Sequence, residues 1–254
     1  MVPAIGKRVI SEVTAPELLA VLRRVEKRGA IETAHRIKQV ACQIFRFAIA
    51  TGRADRDVAA DLRGALKSPR KSHFPAITDP KEAKQLIVAI QGYQGTPLVK
   101  AALRLSPLLF CRPGELRHME WAEVNWNERR IELPASRMKI GEPLIIPLSN
   151  QALKILEELY PHTGSGKYIF PFSRGLSRPM SDNAVRTALR TLGYDNEAMT
   201  PHGFRAMART ILDEVLGYRV EYIEQQLGHA VKDANARAYN RPMHLDQRTE
   251  MMQA

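Results

Sequence analysis

Helix-start signals recur along this chain, several of them followed by apolar residues at helical spacing. Thr14-Ala15-Pro16-Glu17 has the form of a capping box, in which a hydroxyl and a carboxylate satisfy the first free amides of a helix. Leu18, Val21, Leu22 and Val25 then recur at helical spacing up to Gly29. Ile37, Val40, Ala41, Ile44, Phe45 and Ala48 form the apolar face of a second helix stopped near Gly52, and Val58, Leu62 and Leu66 predict a short third one. Asp79-Pro80-Lys81-Glu82 and Thr96-Pro97 restart helices, with proline at the first helical position, where its missing N–H is not needed. The second of these runs to Phe110. Ser149 and Ser181 cap two more, Thr200-Pro201 opens another that ends before Gly217, and Val220, Ile223 and Leu227 give a last helical face. Helical period gives way to strands only at 124–127, 130–134 and 143–147, with Gly141 at a turn. The fold class expected is mainly α with a small antiparallel β-sheet. A helical domain over 1–70 precedes a linker over 71–77, where turn formers and charge occur without periodicity, and an α+β domain over 78–254 follows.

The chain has 254 residues, with 38 Lys plus Arg against 27 Asp plus Glu, a formal charge of +11. A polyanion, nucleic acid first, is the partner such a balance favours, although a basic protein without one has the same composition. Lys67, Arg70 and Lys71 are candidates to lie along DNA, with a solvated basic linker as the plainer alternative. Cys42 and Cys111 make neither a disulfide framework nor a zinc spacing, which fits a reducing cytosol. No apolar run of about 18 residues suggests a membrane span, and the opening residues lack the apolar core of a signal peptide.

Chemistry-bearing residues concentrate in the second domain. His202 and Arg205 lie three apart at a helix start, share a face, and sit where free amides and the helix dipole attract phosphate. Gly203 between them leaves room for a sugar-phosphate backbone. Taken alone, His-x-x-Arg is also what a capping histidine and a surface arginine would give. Arg112 stands between an apolar helix and the helix start Pro113-Gly114-Glu115, where Glu115 can orient its guanidinium; a structural ion pair is the bland alternative. Lys139 falls between two strands and can reach a substrate as a proton donor, or be merely solvated. His229 follows Leu227-Gly228. No His-x-x-x-His and no carboxylate cluster completes a metal site with it. Tyr239 sits between Ala238 and Asn240-Arg241, a polar setting unlike that of a core tyrosine. An unperturbed phenol stays protonated near neutral pH, so a nucleophilic role needs a proton acceptor and a cationic site.

Arg112-Pro113-Gly114-Glu115-Leu116, Lys139, His202-Gly203-Phe204-Arg205, Leu227-Gly228-His229 and Tyr239-Asn240-Arg241 stand in the order and with the gaps of the tyrosine recombinases. The chain resembles the prophage and genomic-island integrases of that family over almost its whole length. The resemblance implies a SAM-like helical core-binding domain over 1–70 and a tyrosine-recombinase catalytic domain over 78–254, the two closing as a clamp on DNA. It implies that Arg112 and Arg205 hold the scissile phosphate, that Tyr239 attacks it to form a 3′-phosphotyrosyl bond, and that Lys139 protonates the leaving 5′ oxygen. His202 would be general base or acid towards the tyrosine, His229 would hydrogen-bond the phosphate, and Glu115 would support Arg112. No cofactor and no metal is implied. The implied partners are double-stranded DNA attachment sites and three further copies of the chain in a homotetramer that exchanges C-terminal segments, with accessory DNA-bending proteins allowed. The implied setting is the bacterial cytoplasm, at the nucleoid. The chain departs from the family pattern at both ends: an arm-site-binding domain and the first core-binding helix are expected before it, and further residues after Ala254. Other readings of the same residues are a catalytically silent DNA-binding remnant, a topoisomerase IB-like enzyme that relaxes supercoils, and, on the weakest footing, a metal-dependent nuclease.

Overall fold

The computed structural model of the chain describes residues 2–69, 75–139, 141–172, 174–229 and 244–254. Its contacts divide into two compact units, Met1–His73 and Phe74–Ala254.

The first unit is helical. A short α1 (Val2–Ile5) precedes α2 (Ala15–Lys27), whose capping box is formed as the sequence predicts: Thr14 Oγ1 accepts from the Glu17 amide while Glu17 Oε2 accepts from the Thr14 amide. The partner helix α3 (Ile31–Ala50) buries Ala34, Ala41 and Phe45 in one cluster with Leu18 and Leu22. The third helix expected over Val58, Leu62 and Leu66 is not formed. These side chains are buried, but the segment holds only a 3₁₀ turn, Ala60–Leu62. The Asp57 carboxylate accepts from the Ala59 and Ala60 amides to start that turn, and Arg63 leaves it in extended conformation. A local side-chain acceptor has taken the place of helical hydrogen bonds.

In the second unit α4 (Pro80–Gln91) starts at Asp79, whose carboxylate accepts from the amides of Lys81 and Glu82. Then come α5 (Pro97–Leu109), α6 (Pro113–Arg117), the strands β1 (Val124–Asn125), β2 (Arg130–Leu133) and β3 (Leu144–Pro147), and α7 (Asn150–Thr163). The sheet is antiparallel in the order β1-β2-β3, with Ile131 opposite both Val124 and Ile146. Sequence reading missed a second small sheet, β4 (Pro171–Phe172) with β5 (Gly175–Pro179). Helix α8 (Ala184–Thr191) begins three residues after the Ser181 cap expected for it. Helices α9 (Gly203–Thr210) and α10 (Val220–Gln226) are joined through a π-helical turn, Ile211–Val215, and α11 (Leu245–Gln253) packs on β3 and α10. Leu103, Leu105, Leu109, Ile131, Ile146, Phe170 and Phe204 are among the side chains that form the core.

Residues 75–77, read from sequence as linker, pack on this second unit. The Pro75 carbonyl accepts from the Thr200 amide and hydroxyl at 3.3 Å each, and Ile77 is buried in the core.

Candidate active site

Helix α5 delivers the first arginine. Phe110 ends the helix in left-handed conformation (φ 54°), a backbone state costly for a bulky residue, and Arg112 follows as the cap of α6. The Glu115 carboxylate closes on Arg112 from two sides, accepting from its backbone amide at 2.7 Å and from Nη1 at 2.6 Å. Glu115 is buried, so the pair is a supported one rather than a solvated contact.

Helix α9 delivers the second arginine. Arg205 Nη1 donates to the Phe110 carbonyl at 2.8 Å, which the left-handed turn aims at it, and Nη2 donates to the Leu227 carbonyl at 2.7 Å. Arg112 Nη2 donates to the next carbonyl, that of Gly228, at 3.1 Å. The two guanidinium groups therefore hold adjacent carbonyls of the turn that carries His229. Gly228 has φ 59°, a conformation that calls for glycine, and a Cβ there would also press on the Leu144 and Met138 side chains at 3.3 Å. Burial lowers the Arg205 pKa, and the charge of Arg112 adds to that; a guanidinium still stays protonated.

Arg112, Glu115, Lys139 and His202 line one cleft of about 570 Å³, together with His118, Glu120, Arg137 and Tyr168, which sequence reading did not single out. Lys139 is exposed on the β2–β3 connection. That connection is tied to α6 by Arg137, which bonds the Glu123 carboxylate and, at 3.4 Å, the Glu115 carbonyl. Partial burial, then the charges of Arg205 and Arg112, push the His202 imidazole below its ordinary pKa. It is therefore neutral near neutral pH and able to accept a proton.

The role expected for Gly203 needs correction. The space over it is filled by the chain itself: a Cβ would meet the Pro75 carbonyl oxygen at 2.5 Å, Met199 Sδ at 2.9 Å and Ala76 Cα at 3.2 Å. This glycine admits residues 75–76, not a nucleic-acid backbone. The helix itself starts at Gly203, whose amide bonds the Thr200 hydroxyl and carbonyl.

Tyr239, Arg70 and Lys71 lie outside the described residues. Lys67 has an exposed side chain in the first unit, its amide donating to Glu26 and its carbonyl bonded by His35. Among the described residues no group of three or more His, Cys, Asp or Glu could hold a metal ion, and no helix is long and apolar enough to cross a membrane.

The family model for the phage integrase central domain matches residues 1–65, and that for the phage integrase family matches residues 77–244. The chain is 36% identical over 254 residues to the prophage integrase IntZ of Escherichia coli K12, covering 99% of this chain and 61% of the relative. It is 33% identical over 265 residues to the integrase of Enterobacteria phage P4, covering 99% of this chain and 60% of that one. The chain thus spans about three-fifths of these relatives' length. In fold it is similar to lambda integrase solved as a dimer on a COC′ core site, with TM-score 0.67 and 22% identity over 90% of this chain and 83% of that one. Lambda integrase solved as a tetramer on a Holliday junction gives TM-score 0.65 at 20% identity, covering 89% of this chain and 66% of that one. With both arginines converging on the Leu227-Gly228-His229 turn and a family model matching residues 77–244, well over half of the chain, the chain belongs to the phage integrase family.

Proposed function

We propose that this chain is a site-specific recombinase that cuts and rejoins duplex DNA through a 3′-phosphotyrosyl intermediate, integrating or excising a mobile element. The observation that carries the reading is the convergence of Arg112, Lys139 and His202 on one cleft, with Arg205 bonded to the same turn as Arg112. Arg112 and Arg205 clamp the non-bridging oxygens of the scissile phosphate and stabilise the charge that grows in a pentacoordinate transition state. The Tyr239 oxygen attacks phosphorus as the bond to the 5′ oxygen breaks. The phenolic proton passes to His202, and Lys139 gives a proton to the leaving oxygen. A positioned acid or base of this kind contributes about 10²–10⁴ in rate. Partial burial, and then the charges of the arginines that bind phosphate, keep His202 unprotonated and ready to accept. His229 donates to the phosphate and Glu115 fixes Arg112. The bond energy is retained in the phosphotyrosine, so rejoining needs neither nucleotide nor metal.

Residues 1–70 are then the core-binding domain, with Lys67, Arg70 and Lys71 along the DNA, and residues from 78 onwards the catalytic domain. Attachment-site duplex in the bacterial cytoplasm is the substrate, and four copies act together, as in the lambda integrase tetramer on a Holliday junction. The test is a nicked suicide duplex. The wild-type chain forms a covalent adduct, while Tyr239→Phe keeps duplex binding and forms none. A wild-type chain that binds and never forms adduct would leave only a silent DNA-binding remnant.

A further inference from the structure

His229 lies just beyond α10, and its two ring nitrogens face chemically opposite partners. Nε2 is 2.9 Å from Arg205 Nη2, and Nδ1 is 2.5 Å from Glu224 Oε2. A guanidinium only donates, so Nε2 is the acceptor and the ring proton sits on Nδ1, donated to Glu224. Glu224 is itself held. Its Oε1 accepts from Arg209 Nε at 2.9 Å, and Arg209 Nη1 reaches Asp213 Oδ2 at 2.5 Å on the π-helical turn. Desolvation of Glu224 opposes its charge, but the hydrogen bonds from His229 and Arg209 outweigh it and hold the carboxyl below its ordinary range. Arg209 stands one turn after Arg205 on α9, so one helix carries both the phosphate-facing arginine and the anchor of this relay.

We infer that Glu224, anchored by the Arg209–Asp213 pair, is a positioning residue that fixes the tautomer and orientation of His229. The inference rests on the reading of His229 as a phosphate contact. With its Nδ1 proton engaged by the carboxylate, His229 presents the Nε2 lone pair to Arg205. When a phosphate oxygen takes over that Arg205 donor, Nε2 takes up a proton from hydronium or buffer acid, keeps it, and donates a hydrogen bond to the same oxygen. Glu224 offsets the imidazolium charge. Among the described residues the charged groups around the ring are Arg205 and Arg209 from α9 and Glu224 from α10, with Arg112 bonded to the adjacent Gly228 carbonyl and Glu115 in turn bonded to Arg112. Glutamine cannot replace Glu224. Arg209 cannot accept, so the single amide oxygen must serve Arg209, and the NH₂ group then faces Nδ1. That reverses the tautomer and sets Nε2–H against the Arg205 donor.

Two measurements on the whole chain test this. Nitrogen-15 chemical shifts of the His229 ring, assigned by loss of its signals in His229→Gln, read the tautomer without DNA. The wild-type ring is protonated at Nδ1 and the Glu224→Gln ring at Nε2. Single-turnover adduct formation on the suicide duplex reads the consequence. Glu224→Gln loses about 10²-fold in rate, the scale of a lost transition-state donor. Glu224→Asp, which keeps the charge and both acceptor oxygens, recovers most of the rate. A wild-type ring protonated at Nε2, or a Glu224→Gln chain with an unchanged ring or unchanged rate, overturns the inference. If the wild-type chain makes no adduct at all, the reading of the site fails instead, and the ring shifts alone still decide the tautomer.

Discussion

Arg112 and Arg205 carry the same charge but are held differently. Arg112 is ion-paired to buried Glu115, whereas Arg205 is held by main-chain carbonyls and His229 Nε2, and pays for burial with a lowered pKa. Arg112→Lys keeps the charge and loses the fork that reaches both Glu115 and the Gly228 carbonyl. Single-turnover adduct formation should fall about 10²-fold or more while duplex affinity changes little. His202 gives a pH signature. Its pKa is depressed in the folded chain, so as a base it stays active to lower pH than an ordinary imidazole, and the acid limb of adduct formation lies below about 6.5. His202→Gln removes that limb and costs about 10²–10⁴ in rate. The same shift acts on stability with a definite sign. Below about pH 6.5 the unfolded chain binds the proton more readily than the folded one, so this histidine lowers stability as the pH falls, and melting curves of His202→Gln fall less steeply there.

At the scale of elements, one glycine reports on the site's construction. Gly203→Ala drives a methyl group into the Pro75 carbonyl and should cost about 1–3 kcal/mol, because that oxygen is backbone and cannot swing aside. Its melting temperature and adduct yield should fall together, since the clash lies beside His202. What could be read beforehand follows physical range. Caps, proline positions and periodicity are local, and they gave α2, α3, α4, α5 and the β1-β2-β3 sheet. The motifs around Arg112, Lys139, His202 and His229 were legible because each has a local shape and the set has an order. Glu224 was not, because it reaches His229 across the turn at Gly228, where helical spacing no longer applies. Arg248 was hidden for another reason. It is almost wholly buried on α11, bonded to the Ile145 carbonyl and to Gln226, and burial lowers its pKa to about 10. A charged residue in a polar stretch reads as solvated, and only tertiary packing makes it core.

For the whole molecule, the two units answer different questions. The overall charge of +11 suits a polyanion, and DNA affinity should fall steeply with salt, by about 10³-fold or more between about 50 and 200 mM if six or more phosphates are contacted. The boundary between units is also testable. Pro75 and Ile77 belong to the second unit by hydrogen bonding and burial, so a fragment starting at residue 75 should melt higher than one starting at 78. The central claim is that one phenol becomes joined to the broken strand, within reach of both arginines. Peptide mapping of the adduct trapped on a nicked duplex addresses it directly. The account predicts a nucleotide-bearing peptide modified at Tyr239, linked through the DNA 3′ phosphate; modification at any other residue, or an adduct of unchanged yield from Tyr239→Phe, would contradict it.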